Sequence, residues 1–329
     1  MSQLEIKPKG VFSGYGASIL LLLVALVYPF VVTSNYALDV GMLILFTAFL
    51  GQSWNIAGGF AGLLSFGHTI FFGIGAYCSA IMVATYGINP WMAWMLAIAF
   101  GAALGAIIGY LSFRFGLRGS YFALITLAFA EMFRVLADSS PITRGGLGIL
   151  IPVKQGASQL QFADPRAFYF LALLLCLIGL GLAYWLKSSR FGARLEAIRE
   201  NEDAARALGI HVLKEKIKCL ALSGALAAAG GSFYVQKYLY IDPQLAFSVA
   251  RSVEMLLVAM IGGAGTVFGP LIGAATLGVL AEVTRALSDA QGLSLVVYGT
   301  VLILIIGFLP NGLISLLRRG PRKQGGRHA

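Results

Sequence analysis

"SRFGARLEAIRENEDAARALGI", Ser189 to Ile210, carries eight charged side chains in 22 residues: Arg190, Arg194, Glu196, Arg199, Glu200, Glu202, Asp203 and Arg206. On either side the chain runs for long stretches in Leu, Ala, Gly, Ile and Phe. The contrast decides the fold. Of 329 residues, 58% are hydrophobic and 12% charged, about half the charged fraction of a soluble globular domain. The mean hydropathy of +0.84 agrees. Such a chain is an all-α polytopic membrane protein, and Ser189–Ile210 is a charged loop between two of its spans.

Spans need about 20 mainly apolar residues each. Working outward from the loop, they fall at 166–187 and 215–237, then at 119–138, 91–113, 63–85, 37–56 and 15–34, and finally at 293–316. The stretch 251–284 is long for one span and is interrupted by Gly262-Gly263, Gly265 and Gly269-Pro270. It predicts two short helices or a re-entrant hairpin, crossing an even number of times. The total is about 8–10 transmembrane helices with Gly-rich broken or re-entrant segments, in one transmembrane domain over 1–316. Asn89-Pro90, Asp164-Pro165, Asp242-Pro243 and Pro310-Asn311 read as turns between spans.

Charge sets the orientation. The net charge is +10, and Arg318, Arg319, Arg322, Lys323 and Arg327 crowd a basic tail over 317–329. Lys187, Arg190, Arg194, Arg199, Arg206, Lys214, Lys216 and Lys218 surround the central loop. Basic residues in short loops beside apolar spans mark the cytoplasmic side, so this balance calls for no nucleic acid. Loop 188–214 is then cytoplasmic and loop 139–165 external. Lys7, Lys9, Arg114 and Arg118 fall on the cytoplasmic side, as do both termini. The run Ala17–Val32 reads as a first span, since no small-x-small cleavage pattern follows it.

Catalytic signatures are missing. There is no Gly-Lys dipeptide, hence no phosphate-binding Walker loop, and no His-Glu-x-x-His or Gly-x-Ser-x-Gly. His68, His211 and His328 are scattered, and Cys78, Cys176 and Cys219 sit in or beside apolar runs. No catalytic or metal site is expected. A membrane-embedded enzyme therefore lacks a convergent nucleophile and base. Glu131/Arg134, Arg251/Glu254 and Glu282/Arg285 each stand three apart, able to pair on one helix face near predicted span ends. No ladder of buried acids suggests a proton-driven carrier.

Two segments stand out among the spans. Gly58–Tyr77 ("GGFAGLLSFGHTIFFGIGAY") and Gly262–Ala275 ("GGAGTVFGPLIGAA") both run Gly-Gly, Gly, Phe-Gly, Gly-Ala. Paired Gly-interrupted segments in two halves of a transporter point to its pathway, because broken backbone is tolerated only inside protein or along a cavity. Gln52, Asn55, Ser65, His68 and Thr69 are polar residues around the first segment. They have two readings, as hydrogen-bonding glue between helices or as lining of a translocation pathway. With Gly262, Gly263 and Gly265, the residues Gln52, Asn55, Ser65 and His68 form the candidate pathway.

In the opening stretch, Leu195, Ile198, Ala204, Ala205 and Leu208 recur at a broken helical period. A break is expected near Asn201, and Gly209 is a helix stop. Glu202 precedes Arg206 by four, a stabilising order on a helix. Orientation alone needs basic residues and leaves Glu196, Glu200, Glu202 and Asp203 without a purpose. A mixed-charge helix with a small apolar face suits docking to a partner protein.

"RFGARLEAIRENEDAARALGI" resembles the cytoplasmic coupling loop of the permease subunits of branched-chain amino-acid ABC importers. Glu202-Asp203-Ala204-Ala205, with Gly209 four residues on, is similar to the Glu-Ala-Ala…Gly loop of bacterial import permeases, with Asp in place of the first Ala. "AGLLSFGHTIFFGIGAY" (Ala61–Tyr77) and "SVEMLLVAMIGGAGTVFGPLIGAA" (Ser252–Ala275) resemble the same family. The length and loop 139–165 resemble the longer of its two permease types. The resemblance implies an inner-membrane permease that pairs with a second homologous permease. Two cytoplasmic ATPase subunits would hold ATP-Mg, this chain itself having no cofactor. A periplasmic or lipid-anchored binding protein would deliver the amino acid. Arg194, Glu196, Arg199, Glu200, Glu202, Asp203, Ala204, Ala205 and Gly209 would form the ATPase-coupling loop. On this view Glu202→Lys or Gly209→Pro uncouples transport and leaves the chain folded. Permeases for urea and short amides share the pattern. A stand-alone carrier or channel is the contrasting class, since it needs no docking loop.

Overall fold

The computed structural model describes residues 16–154, 156–287, 299–300, 303 and 312–317. Most of the predicted last span, Pro310-Asn311, the basic residues beyond 317, and Lys7 and Lys9 lie outside them. The elements are α1 (Gly16–Val31), α2 (Asn35–Asn55) with a π-helical extension (Ile56–Phe60), α3 (Thr69–Ala84), α4 (Pro90–Arg114), α5 (Gly119–Ser139) and α6 (Pro165–Ser188). Then come α7 (Arg190–Glu200), α8 (Glu202–Ala207), α9 (Val212–Tyr238), α10 (Pro243–Ala246), α11 (Val249–Gly262), α12 (Gly269–Leu287) and α13 (Ile314–Leu317). The protein is an all-α polytopic membrane protein. Among the described residues six helical stretches are long and apolar enough to cross a membrane: Asn35–Phe60, Pro90–Arg114, Gly119–Ser139, Pro165–Ser188, Val212–Tyr238 and Pro243–Gly262. Leu20–Val31 and Thr69–Ala84 are shorter apolar helices.

The Asn-Pro and Asp-Pro pairs work as helix starts. Asn89, Asp164 and Asp242 accept hydrogen bonds from Trp91 N, Arg166 N and Leu245 N, and the following proline takes the first helical position in each case. The side chain satisfies an orphan N–H, and proline lacks one that would need satisfying.

Helix α9 is the hub, packing on α2, α3 and α4. It approaches its neighbours through small residues. A Cβ at Gly105 of α4 would lie 2.5 Å from Leu220 O, one at Gly75 of α3 would lie 2.1 Å from Ala228 O, and one at Gly231 of α9 would lie 1.9 Å from Phe72 O. Helices in lipid gain little from apolar burial against one another, so close backbone contact through such residues carries the packing.

The α7–α8 elbow marks one end of the bundle. At the opposite end, β1 (Ile149–Leu150) pairs antiparallel with β2 (Tyr240–Ile241), Ile149 opposite Ile241, and ties loop 140–164 to the end of α9. Nearby, Lys237 Nζ donates to Asp39 Oδ1 at 2.8 Å and lies over the Phe168 ring.

The predicted span 63–85 is only partly helical. Residues Gly62 to His68 are not helical, and from Gly62 to Phe66 they alternate between exposed and buried positions. Gly62 lies against Arg199 of the elbow. His68 meets Ser223 at 3.2 Å, eleven residues along α9 and so about 16 Å from its start. The segment therefore climbs back into the bundle, and α3 begins near mid-depth. Thr69 N donates to Ser252 Oγ at 2.9 Å, so α11 also starts near mid-depth, and it returns to the elbow end. There the turn 263–268 leads into α12, whose Glu282 accepts from Tyr36 Oη at the opposite end. Stretch 251–284 is thus a hairpin, as its glycines predicted.

Candidate coupling site and translocation pathway

The elbow is built from two capped helices. Ser189 Oγ accepts from Gly192 N and starts α7. Asn201 is extended, at φ −157° and ψ 109°, and its Oδ1 accepts from both Asp203 N and Ala204 N at 3.0 Å. The predicted break at Asn201 is therefore the end of α7 and the N-cap of α8 at once. Gly209 stands at φ +82°, and Ile210 N returns to Ala205 O at 3.1 Å, the reversal that commonly closes a helix at glycine.

The apolar period splits between two faces. Leu195, Ile198 and Ala205 are buried, Ile198 and Ala205 forming with Val212 a small core under the elbow. Ala204 and Leu208 face outward, and Leu208 is 80% exposed. The charges divide in the same way. Glu200, Asp203 and Arg206 project outward, whereas Glu202 is largely buried. Glu202 Oε2 meets buried Lys216 Nζ at 2.5 Å and Arg118 Nε at 3.3 Å, and its other oxygen meets Arg206 Nη2 at 3.2 Å.

The charges fasten the elbow to three places, α6, α9 and the chain just before α5. Lys187 of α6 binds Glu196 at 3.2 Å, and Glu215 of α9 binds Arg194 at 3.1 Å. Arg118, just before α5, hydrogen-bonds Asp203 at 3.3 Å. That bond and the guanidinium charge hold the Asp203 carboxyl below the ordinary Asp range, and the same contact raises the Arg118 guanidinium.

Arg199 reaches farthest. Its Nη1 donates to Gly59 O in the π-helical turn at 2.8 Å. Asn55, one turn earlier, accepts from Gly265 N at 2.7 Å and donates to Thr266 O at 2.9 Å. The two Gly-rich segments thus meet at the elbow end of the bundle. They also share an order of events. In each, a helix ends at or just after Gly-Gly, the chain passes through irregular backbone, and a new helix starts at or just after Phe-Gly.

The polar pathway candidates are drawn inward. Gln52, Asn55, Ser65 and His68 are all buried. His68 Nε2 contacts Ser223 Oγ, which donates to Ser53 O at 2.5 Å, and Trp54 Nε1 donates to Ser65 O at 2.8 Å. These are joints between helices. Gln52 lies toward Gly179 of α6, away from the meeting point, and its carboxamide has no hydrogen-bond partner among the described residues. Gly262, Gly263 and Gly265 stay together at the elbow end, with a Cβ at Gly262 only 1.7 Å from Gly269 O. Sequence reasoning placed Arg199 on the docking loop but missed its contact with Gly59, 140 residues away.

The ionisable pairs differ. Glu131 meets Arg134 at 2.5 Å and Glu282 meets Arg285 at 2.6 Å. Arg251 instead lays its guanidinium over the Phe72 and Tyr234 rings. Glu131, expected near a span end, is half-exposed from the chain about 18 Å along α5. At that depth a charge faces protein or a water-filled cavity.

A bundle of broken and unbroken apolar helices with a capped, charged elbow at one end is the architecture of a membrane permease. The chain belongs to the family of permease components of the branched-chain amino acid transport system, whose model matches residues 36–306. It is 30% identical over 322 residues to the high-affinity branched-chain amino acid transport system permease protein LivM of Salmonella typhimurium, covering 91% of this chain and 74% of that one. It is 28% identical over 230 residues to the fructose import permease protein FruF of Bifidobacterium longum, covering 64% and 63%. In fold it is similar to a putative metal-chelate type ABC transporter in an inward-facing conformation, with a TM-score of 0.50, 18% identity and coverage of 89% of this chain and 98% of that one.

Proposed function

We propose that the chain is the permease subunit of an ATP-driven importer that carries branched-chain or related amino acids inward across the bacterial inner membrane. Family membership and the likeness to LivM support the transport role. One observation carries the coupling role. The elbow offers an exposed outer face of Glu200, Asp203, Arg206 and Leu208, while its inner face is tied to the pathway segments. An exposed leucine among mixed charges, at a capped bend, suits a groove on a partner protein. The partners in this reading are two cytoplasmic ATPases that hold ATP-Mg, a second homologous permease, and a periplasmic or lipid-anchored binding protein. The elbow end collects Arg114, Arg118, Lys187, Arg190, Lys214 and Lys218, which supports a cytoplasmic elbow and cytoplasmic termini.

The test is co-expression of the chain with its neighbouring permease and ATPases, followed by ATPase assay of the purified complex with and without leucine-loaded binding protein. Stimulation by the loaded binding protein is the expected result. Failure of the ATPases to co-purify with a folded, monodisperse chain would turn the reading to a stand-alone carrier or channel, with ion-dependent flux in the absence of ATP. The likeness to a fructose import permease makes a different solute the second reading. Urea, short amides and sugars offered with their own binding proteins decide that point.

A further inference from the structure

The elbow's other inward contacts, from Glu196, Arg194 and Glu202, end on helices α6 and α9 and on Arg118 just before α5. Arg199 alone among them reaches the Gly-rich segments, and it touches both. Besides donating to Gly59 O, its side chain fills the space over Gly62, where a Cβ would lie 2.8 Å from Arg199 Cγ. It fills the space at Gly265 as well, where a Cβ would lie 2.7 Å from Nη1. Gly62 and Gly265 both have positive φ, +69° and +75°, so glycine meets a steric and a conformational demand at each. The two glycines form a seat for one arginine, Gly62 under its aliphatic stem and Gly265 beside its guanidinium. Asn55 staples the two sides of that seat together. Beneath the elbow, a cavity of about 200 Å³ lined by Gly62, Arg118, Arg199, Asn201 and Lys216 leaves room for the elbow to shift.

We propose that Arg199 is the positioning residue through which movement of the elbow reaches the translocation pathway, by gripping the backbone of both Gly-rich segments at once. The inference rests on the importer reading and adds the point of transmission. The π-helical turn at Gly59 departs from regular α-helix and the 263–268 turn is irregular, so a pull on Gly59 O, passed on to that turn through Asn55, changes conformation there first. The charged, planar fork of arginine suits a carbonyl and a confined glycine seat. Lysine offers one ammonium without the fork, and glutamine offers no charge.

The test uses the full complex with both permeases, ATPases and binding protein in proteoliposomes, with leucine as the probe. ATP hydrolysed per leucine taken up is measured for the wild type, Arg199→Gln and Arg199→Lys, along with subunit stoichiometry. For Arg199→Gln this ratio is expected to rise at least about fivefold, the lower end of usual coupling effects, in a complex that still assembles. Arg199→Lys should recover part of the coupling. A purely structural role would lower assembly while leaving the ratio constant. Gly265→Ala is the second variant, since it crowds the seat and keeps the arginine and every elbow ion pair. It should raise the ratio too. An unchanged ratio in both variants, beside a responsive wild type, overturns the proposal alone. A wild type that neither assembles nor responds removes the importer reading and this proposal with it.

Discussion

Gln52 and Asn55 sit three residues apart on α2, and the sequence offers no reason to treat them differently. The structure separates them. Asn55 makes two hydrogen bonds to backbone of the 263–268 turn. Gln52 is 2% exposed and makes none among the described residues. A buried polar group with partners costs about 1–3 kcal/mol per group left unsatisfied when it is removed, whereas replacing an unpartnered one by an apolar group is neutral or stabilising. Asn55→Leu should therefore lower the thermal midpoint of the purified chain clearly, and Gln52→Leu should leave it unchanged or raise it. Leucine uptake by the Gln52→Leu complex is a separate readout. Its loss from a chain of full stability would make Gln52 a pathway residue after all.

At the scale of the element, the elbow carries two kinds of residue that composition cannot distinguish. Leu208 is exposed and touches the body little, and Glu202 lies among Arg118, Arg206 and Lys216. In this geometry Glu202→Lys is expected to destabilise the fold instead of sparing it, because it sets a fourth cation among three, one of them buried. Breaking a buried pair in this way costs about 3–5 kcal/mol. Leu208→Asp, in contrast, should leave the thermal midpoint of the isolated chain unchanged. It should cost roughly 2 kcal/mol of ATPase association, the size of an interface hot spot, read as weaker co-purification. Equal stability for both variants would overturn this division of faces. The caps at Ser189, Asn201 and Gly209 follow rules that local sequence obeys, so the elbow could be drawn residue by residue. Which face looked inward could not, since Ala204, Ala205 and Leu208 are all apolar, and the largest of them, Leu208, is the one left exposed.

At the scale of the whole molecule, apolar runs and turn residues were enough to place most spans and the 251–284 hairpin. They hid the break in 63–85. Ala61 to His68 is as apolar as the helices around it, and in a membrane hydropathy reports the environment and not the backbone conformation. The signal available was Gly62, Gly67 and the polar pair Ser65 and His68. The convergence of the two Gly-rich segments was legible as a likeness of pattern. Their physical contact was not, because it depends on partners 140 and more residues apart.

That separation has a consequence for biogenesis. Asn55 enters the membrane early in synthesis, and its partner Gly265 follows 210 residues later. At translation rates of about 5–20 residues per second, the carboxamide waits roughly 10–40 s in lipid before the C-terminal hairpin arrives. During that interval the nascent chain displays an unmet polar group to the insertion and quality-control machinery of the cell. A chain stopped before residue 262 keeps that mark permanently. Pulse-chase should find such a chain degraded much faster than the same truncation carrying Asn55→Leu, and equal half-lives would show that the waiting amide goes unread.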